Sequence, residues 1–391
     1  MKVAFVCNMN NHPSSMVRQL REKGIDAHLL LLNNEDTHFH PSFDMFDLSY
    51  QRYTHRLAWG DHTRFTGVSP ATVRRDLAPY RFIFASGAVP AFMHRAGMVV
   101  DMFVPYGSDL AELPFFTPSA PRRGALMSPF VFPAAQRAGI REARFLGGSY
   151  TPQFEKLFAR LGCKGRRIAL PLAPIHAGTF NPESLPGYYG KSAWYHEFLR
   201  IRHAHDVIVF HHARHIWRVP YSPFSQKGND RLIRGFAKFS AEHPELRTAL
   251  VVLEYGPDVE ASRALVAELG IKSRVFWFPL MARKEVLVGI SLADIVCGEY
   301  GLSWNFCGTI IEGIALGKPL LHYRDDSMYP KEDLFPIMPG RSTDEIAAIL
   351  GDYARRPEHY KKVGADARRW FQSRILDASM DRITQLIETG E

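Results

Sequence analysis

Two cations and one acid in the second half of the chain are the residues whose types and spacing most plainly suggest chemistry. Arg214 stands in a His-His-Ala-Arg-His run directly after an apolar segment at 207–211, and Lys227 opens Lys-Gly-Asn-Asp just ahead of a helical pattern. Further on, Phe306-Cys307-Gly308-Thr309 leads into a second helical pattern that carries Glu312 one turn in. Gly308 allows close backbone approach, Thr309 suits a helix cap, and the free N–H groups at a helix start attract anions. Fixed positive groups of this kind hold phosphate. They also lower a barrier when a leaving diphosphate gains charge, because they stabilise the transition state more than the ground state. An acid beside such a site is favourable if its carboxylate accepts hydrogen bonds from ligand hydroxyls. Plainer roles stand alongside: loop cations facing solvent, and an acid that merely complements a helix dipole.

Other chemistries are less well supported. Among 17 histidines, His203, His205, His211, His212 and His215 invite a metal reading. No HExxH helix or Cys/His pairing accompanies them, so no metal is expected. The four cysteines, Cys7, Cys163, Cys297 and Cys307, lack close ligand spacing, and a chain of 391 residues needs no disulfide framework. No G-x-G-x-x-G follows the first strand pattern, which argues against a nicotinamide dinucleotide. The net charge of +8 falls entirely within residues 1–200, the remainder being balanced. Such a surface suits an acidic acceptor or an anionic membrane, or serves solubility alone. Its cationic clusters at 122–123, 141–144 and 164–167 follow no nucleic-acid reading motif. No apolar run reaches the ~20 residues of a membrane-spanning helix. The opening residues lack the charged head and long apolar region of a signal peptide, so a cytoplasmic chain is expected.

Positioning these residues requires strands and helices in alternation. Apolar runs at 2–7, 27–32, 81–85, 97–104 and 144–146 read as strands, with helices at 16–23 and 151–161, the latter opened by Thr151 and Pro152. Residues 33–67 read as polar and irregular. From 206 the alternation restarts. Strands are expected at 207–211, 247–253, 275–278, 295–297 and 319–323, and helices at 230–242, 258–269, 283–290, 309–316, 343–353 and beyond Pro357. This order implies an α/β protein with two doubly wound, Rossmann-like domains, ligands binding beyond the carboxyl ends of the strands. The expected division is an acceptor-side domain at 1–170, a Pro-, Gly- and aromatic-rich connector at 171–205, and a nucleotide domain at 206–370. A C-terminal helix at 371–391 would pack back toward the first domain.

Five landmarks in order give the second domain a resemblance to the retaining glycosyltransferases of family 4, which have the GT-B fold. They are Lys227-Gly228-Asn229-Asp230-Arg231-Leu232-Ile233, the Leu253–Asp258 turn, Leu269-Gly270-Ile271 with 275–279, Ala293-Asp294-Ile295-Val296, and Glu312-Gly313-Ile314-Ala315-Leu316-Gly317-Lys318-Pro319-Leu320. The resemblance implies two domains facing a central cleft. Arg214 and Lys227 would clasp the diphosphate of a nucleotide sugar, Phe306, Gly308 and Thr309 would form its helix-start cradle, and Glu312 would bind the ribose hydroxyls. The 278–281 segment, including Pro279 and Met281, would surround the base or be ordinary core. The family's second glutamate, eight positions before Glu312, is replaced by Trp304, with Asn305 next to it; Cys307 stands where glycine is usual, and Glu299 is out of register. The sugar end of the site is therefore altered.

In the first domain, Tyr106-Gly107-Ser108-Asp109-Leu110 resembles the family's Gly-Ser-Asp-Leu, so Asp109 either faces the acceptor or closes a turn with Gly107. Asn10, Asn11 and Ser15 occupy the place of a glycine-rich loop, and His94 is a further acceptor-side candidate or a structural histidine. The expected activity is sugar transfer from a UDP- or GDP-type donor to an acceptor hydroxyl on a glycan or lipid. Retention, no bound metal or other cofactor, and a place in surface polysaccharide or glycolipid synthesis follow from the resemblance. A non-catalytic nucleotide-sugar or glycan binder, and a GT-B epimerase or phosphorylase, are the rival readings.

Overall fold

Strands buried on both faces need helices on both sides, and the chain supplies them twice. The computed structural model describes residues 1–35, 37–115, 128–148, 152–170, 174–218 and 225–390. It forms two units, Met1–His176 together with Ile375–Glu391, and Ala177–Arg374.

The first unit is a seven-stranded parallel sheet of β1 (Lys2–Val6), β2 (Asp26–Leu31), β3 (Thr54–Arg56), β4 (Phe82–Ala85), β5 (Met102–Phe103), β6 (Phe145–Gly148) and β7 (Arg166–Ala169), ordered β3-β2-β1-β4-β5-β6-β7. Its helices are α1 (His12–Glu22), α2 (Pro70–Leu77), α3 (Val89–Arg95), α4 (Ser108–Ala111), α5 (Ser128–Glu142) and α6 (Pro152–Leu161). One face packs Trp59, Phe65, Phe92, Phe132 and Phe158. The other packs Phe5, Met16, Leu20 and Phe84, with the Phe5 and Phe84 rings stacked at 4.1 Å.

Several expectations are corrected here. Residues 33–67 are not wholly irregular, since Thr54–Arg56 adds β3 beside β2 in register Leu29↔Thr54. The 97–104 strand shrinks to Met102–Phe103, because Gly97 turns at φ +69 and Val99 is half exposed. Strand β7 and helices α2, α3 and α5 join the elements read from the sequence. Thr151 and the 122–123 cations lie outside the described residues.

The second unit is a six-stranded parallel sheet of β8 (Val207–His211), β9 (Thr248–Glu254), β10 (Val275–Pro279), β11 (Ile295–Cys297), β12 (Leu320–His322) and β13 (Met338–Pro339), ordered β10-β9-β8-β11-β12-β13. Its helices are α7 (Tyr195–Ala204), α8 (Asn229–Glu242), α9 (Val259–Glu268), α10 (Arg283–Leu292), α11 (Gly308–Ala315), α12 (Thr343–Arg355) and α13 (Pro357–Phe371). Leu232, Phe236 and Phe239 project from α8 into the core formed with Val209, Leu250 and Ile295. Helix α12 begins with a reciprocal capping box between Ser342 and Glu345. Lys318, half-buried at the amino ends of the strands, donates to the carbonyls of Ser291 and Ala293, which gives the Gly-Lys-Pro landmark a structural use.

A final helix, α14 (Ala378–Thr389), sets Met380, Ile383, Leu386 and Ile387 into the first unit's core. Among the described residues no helix is long and apolar enough to cross a membrane.

Candidate functional site

In the second sheet β8 lies between β9 and β11, so the direction of winding reverses at β8/β11, the place where doubly wound sheets take ligands. The segments leaving β8, β10, β11 and β12 bring the charged residues to this point.

The β8 exit is fixed from below. Asn229, fully buried at the start of α8, accepts from the Ile216 N–H at 3.1 Å and donates to His211 Nε2 at 2.9 Å. His215 is bonded to Ser262 Oγ at 2.8 Å, and burial pushes its imidazole down to about 4. Lys227 is held through its backbone, its N–H donating to the Ile216 carbonyl and its own carbonyl accepting from Tyr300 N–H, both at 2.8 Å. Gly228 then turns at φ +70, where a Cβ would lie 3.0 Å from the Gly301 nitrogen, so a glycine is needed to enter α8.

The acid of the site is Glu312, on the first turn-and-a-half of α11 and 6 % exposed. One carboxylate oxygen accepts from His212 Nε2 at 2.6 Å and the other from Arg283 Nε at 2.8 Å. Burial pushes the carboxyl up, but the bonds and charges of His212 and Arg283 outweigh it and hold the group below its ordinary value. An ionised carboxylate only accepts, so His212 carries its proton on Nε2, and its buried Nδ1 has no partner among the described residues. Both carboxylate oxygens keep further lone pairs for ligand hydroxyls.

The cation of the site is Lys227, whose Nζ lies 2.6 Å from Glu299 Oε1 in a pair with side chains 14 % and 4 % exposed. Glu299 follows β11, and its backbone N–H donates to His322 Nδ1 at 2.9 Å. Burial pushes the His322 imidazole down to about 4, so it is neutral, and its Nε2–H donates to the Trp304 carbonyl at 2.7 Å. Gly298 makes room for that ring, since a Cβ there would approach His322 Nδ1 to 2.4 Å.

Helix α11 starts at Gly308, with Cys307 extended at φ −156 as the N-cap residue and its carbonyl accepting from Ile311 N–H. Thr309 is therefore not the cap. It sits within the first turn, its hydroxyl 3.1 Å from Cys307 Sγ. Burial and the Glu299 carboxylate push the Cys307 thiol up to about 12, and Lys227 acts on it in the opposite sense. Lys227, Glu299 and the amino end of α11 thus share one neighbourhood, and Gly308 is exposed there.

The remaining expected residues fall differently. Arg214 lies on the β8 exit with its guanidinium 5.8 Å above the Tyr255 ring. Pro279 and Met281 lie at the carboxyl end of β10, whereas Phe278 stacks on Phe198 at 4.6 Å and is core. Asn305 is engaged on both sides, accepting from Arg324 Nη1 and donating to the Asp333 carbonyl. Phe306 stacks on Trp370 at 5.6 Å. These two brace the segment after β12 through side-chain contacts of their own. In the first unit Asp109 closes the turn: fully buried, it accepts from the N–H groups of Gly87, Tyr106 and Gly107, each at 3.0 Å. Asn11 donates to the His38 carbonyl and accepts from Asn8, and Ser15 accepts from Gln19. His94 bonds Glu142 at 2.8 Å, linking α3 to α5.

Sequence reading missed His212 and Arg283 as partners of Glu312, and His322 as the link between Glu299 and Trp304. Arg283 opens α10 soon after β10 ends at Pro279, and a cation at a helix start was the available signal. Nothing in spacing pairs His212 with Glu312 a hundred residues on. Among the described residues no cluster of three His, Cys, Asp or Glu side chains could hold a metal ion.

No protein-family model matches the sequence. HepE from Anabaena, solved with UDP and with UDP-glucose, superposes over the full length of both chains with a TM-score of 0.62 at 14 % identity. Sucrose-phosphate synthase from Thermosynechococcus elongatus superposes over 99 % of this chain and 98 % of that one, with a TM-score of 0.59 and 14 % identity. The chain has the GT-B fold, two Rossmann-like parallel-sheet units of the kind found in glycosyltransferases. A GDP-mannose-dependent alpha-(1-6)-phosphatidylinositol monomannoside mannosyltransferase from Mycolicibacterium smegmatis is 24 % identical over 155 residues, 37 % of this chain. The match spans 40 % of that mannosyltransferase's length.

Proposed function

We propose that the chain is a glycosyltransferase that takes a sugar from a nucleotide diphosphate donor, UDP- or GDP-linked, and passes it to an acceptor hydroxyl. The observation that carries this reading is that the β8/β11 reversal holds both the Lys227–Glu299 pair and, on α11, a Glu312 carboxylate held by His212 and Arg283. Lys227, Arg214 and the first N–H groups of α11 would hold the diphosphate, and Glu312, kept ionised and aimed by His212 and Arg283, would accept the ribose hydroxyls. The base would lie over Pro279–Met281.

Chemistry follows from the charge. As the bond from the sugar's anomeric carbon to the diphosphate breaks, negative charge grows on the departing oxygen, and the fixed cations and helix dipole stabilise it. The acceptor oxygen bonds to the anomeric carbon and its proton passes to the departing phosphate oxygen, on the same face, giving retention. No metal is needed for this balance. The acceptor would be a glycan or lipid-linked glycan approached through the basic residues 1–200, at or near an anionic membrane on the cytoplasmic side. Surface polysaccharide or glycolipid assembly is the matching role.

The test is incubation with UDP-, GDP-, ADP- and CMP-sugars, reading binding and turnover, with Glu312→Ala alongside. Absence of binding, hydrolysis and transfer with every donor removes the proposal. Binding without turnover over a broad acceptor panel favours a non-catalytic role, which the replacement of the usual glutamate by Trp304 motivates. Sugar release or isomerisation without acceptor, or phosphate dependence, favours an epimerase or phosphorylase.

A further inference from the structure

Glu299 is only 3 % exposed, and only one of its carboxylate oxygens is used. Oε1 takes the Lys227 ammonium, while Oε2 is buried with no hydrogen-bond partner among the described residues. An unmatched buried carboxylate oxygen is costly, and a native site keeps one where a ligand completes it. A second unmatched group lies in the same braced loop: the indole N–H of Trp304 is buried and also lacks a partner among the described residues. One neutral imidazole ties the two residues together, His322 accepting from the Glu299 N–H and donating to the Trp304 carbonyl. The loop that holds them runs directly into Cys307, on whose thiol the Glu299 charge acts.

The missing partners have defined chemistry. Oε2 can only accept, so a phosphate oxygen cannot satisfy it; it needs a hydroxyl or an N–H. The indole can only donate, so it needs an oxygen. A polyhydroxylated group attached to the diphosphate offers both. We infer that Glu299 Oε2 and Trp304 Nε1 read the hydroxyls of the transferred sugar, while Glu299 Oε1 aims Lys227 at the diphosphate. Glu299 thereby does the sugar-side work from a position five residues before the one where a glutamate was expected. This inference rests on the donor-site reading above.

Calorimetric titration of the full chain, of Glu299→Gln and of Trp304→Phe separates the two ideas. The probes are UDP, GDP, UDP-glucose, GDP-mannose and the monodeoxy-sugar forms of whichever donor binds. Glu299→Gln is expected to weaken the nucleotide sugar by roughly tenfold or more, the scale of a hydrogen bond to a charged group, and the free nucleoside diphosphate far less. In the unsubstituted chain one monodeoxy sugar should show the same loss, and in Glu299→Gln that loss should vanish, since the two changes remove one interaction. Retained nucleoside diphosphate binding shows that the variant is folded. If Glu299→Gln does not fold, Trp304→Phe must give a smaller loss confined to the sugar nucleotide. Equal losses for nucleotide and nucleotide sugar in both variants overturn the inference and leave the donor site standing. If the unsubstituted chain binds no nucleoside diphosphate, both fall together.

Discussion

At the reversal point of the first sheet, between β1 and β4, the polar groups are used up by the protein itself. Asp109 takes three backbone N–H groups, and Glu35 takes those of Asn8 and Leu32. Gln136 from α5 donates to the carbonyls of Gly87 and Asp109. At the corresponding point of the second sheet, Glu299, Trp304 and His212 each keep a buried polar atom without a partner among the described residues. The two loops differ in backbone as well. Cys7, Asn10 and Asn11 all lie at positive φ after β1, whereas the second unit reaches its turns through glycines such as Gly228. One winding can thus close its crevice with internal bonds or leave it chemically unfinished, and the unfinished one is where a ligand has something to gain.

The largest expected effect tests the unfinished side. Lys227→Ala should lower kcat with a nucleotide sugar by roughly 10²–10³, the range for removing one group that stabilises developing charge. It also strands Glu299, so Lys227→Ala with Glu299→Gln should recover thermal stability without activity. Recovery of both would deny Lys227 its electrostatic role.

On the closed side, Asp109→Ala leaves one buried and two half-buried N–H groups unmatched and should cost about 2–4 kcal/mol in urea unfolding. Nucleotide affinity per folded molecule should stay unchanged, and its loss would put Asp109 back in a binding role.

The two regions should also answer pH with opposite sign. Burial pushes the carboxyls of Asp109 and Glu35 up to about 7, so between about pH 4 and 7 the folded chain binds more protons than the unfolded one. Their contribution is present at the acid end of that window and is lost as pH rises through 7. Glu312 is held below its ordinary value, so its contribution is present at neutral pH and is lost as pH falls through its folded value. Each group changes the slope by at most about 1.4 kcal/mol per pH unit. Hydrogen exchange at β1 and β8, followed against pH with Asp109→Asn as control, reads the two separately. A shared sign would break the contrast.

The smallest effect concerns Gly228. Alanine there meets φ +70 and a close backbone neighbour, and should cost about 1 kcal/mol or somewhat more, measured by thermal unfolding, with weaker diphosphate binding as Lys227 shifts.

Much of the second unit was legible because its strands are buried on both faces and read as apolar runs. Residues 207–211 and 295–297 were recovered to the residue, and α8 within one. Lys227 and Glu312 could be singled out as candidates because helix beginnings have a recognisable chemistry. The losses have physical causes. Strand β3, Thr-His-Arg, has no apolar residue and owes its existence to pairing with β2. Helix α5 carries Pro133, and its apolar residues bunch in the first half ahead of Gln136, Arg137, Arg141 and Glu142, which weakens the helical period. Thr309 looked like the cap by residue preference, but the backbone placed Cys307 there. The partners of Glu312 and the idle oxygen of Glu299 arise only from tertiary approach, which a linear pattern does not record.

Helix α14 has a consequence for how the molecule is made. A π-helical turn at Gln372–Asp377 leads into it from α13, and its apolar side chains finish a face of the first sheet. During synthesis that sheet waits, with Phe5, Leu20 and Phe84 incompletely covered, until residues 378–389 leave the ribosome. The second unit, continuous from Ala177 to Arg374, has all its residues earlier. The half translated first is therefore the half completed last, and a stop after Arg374 should yield a soundly folded second unit attached to an aggregation-prone first.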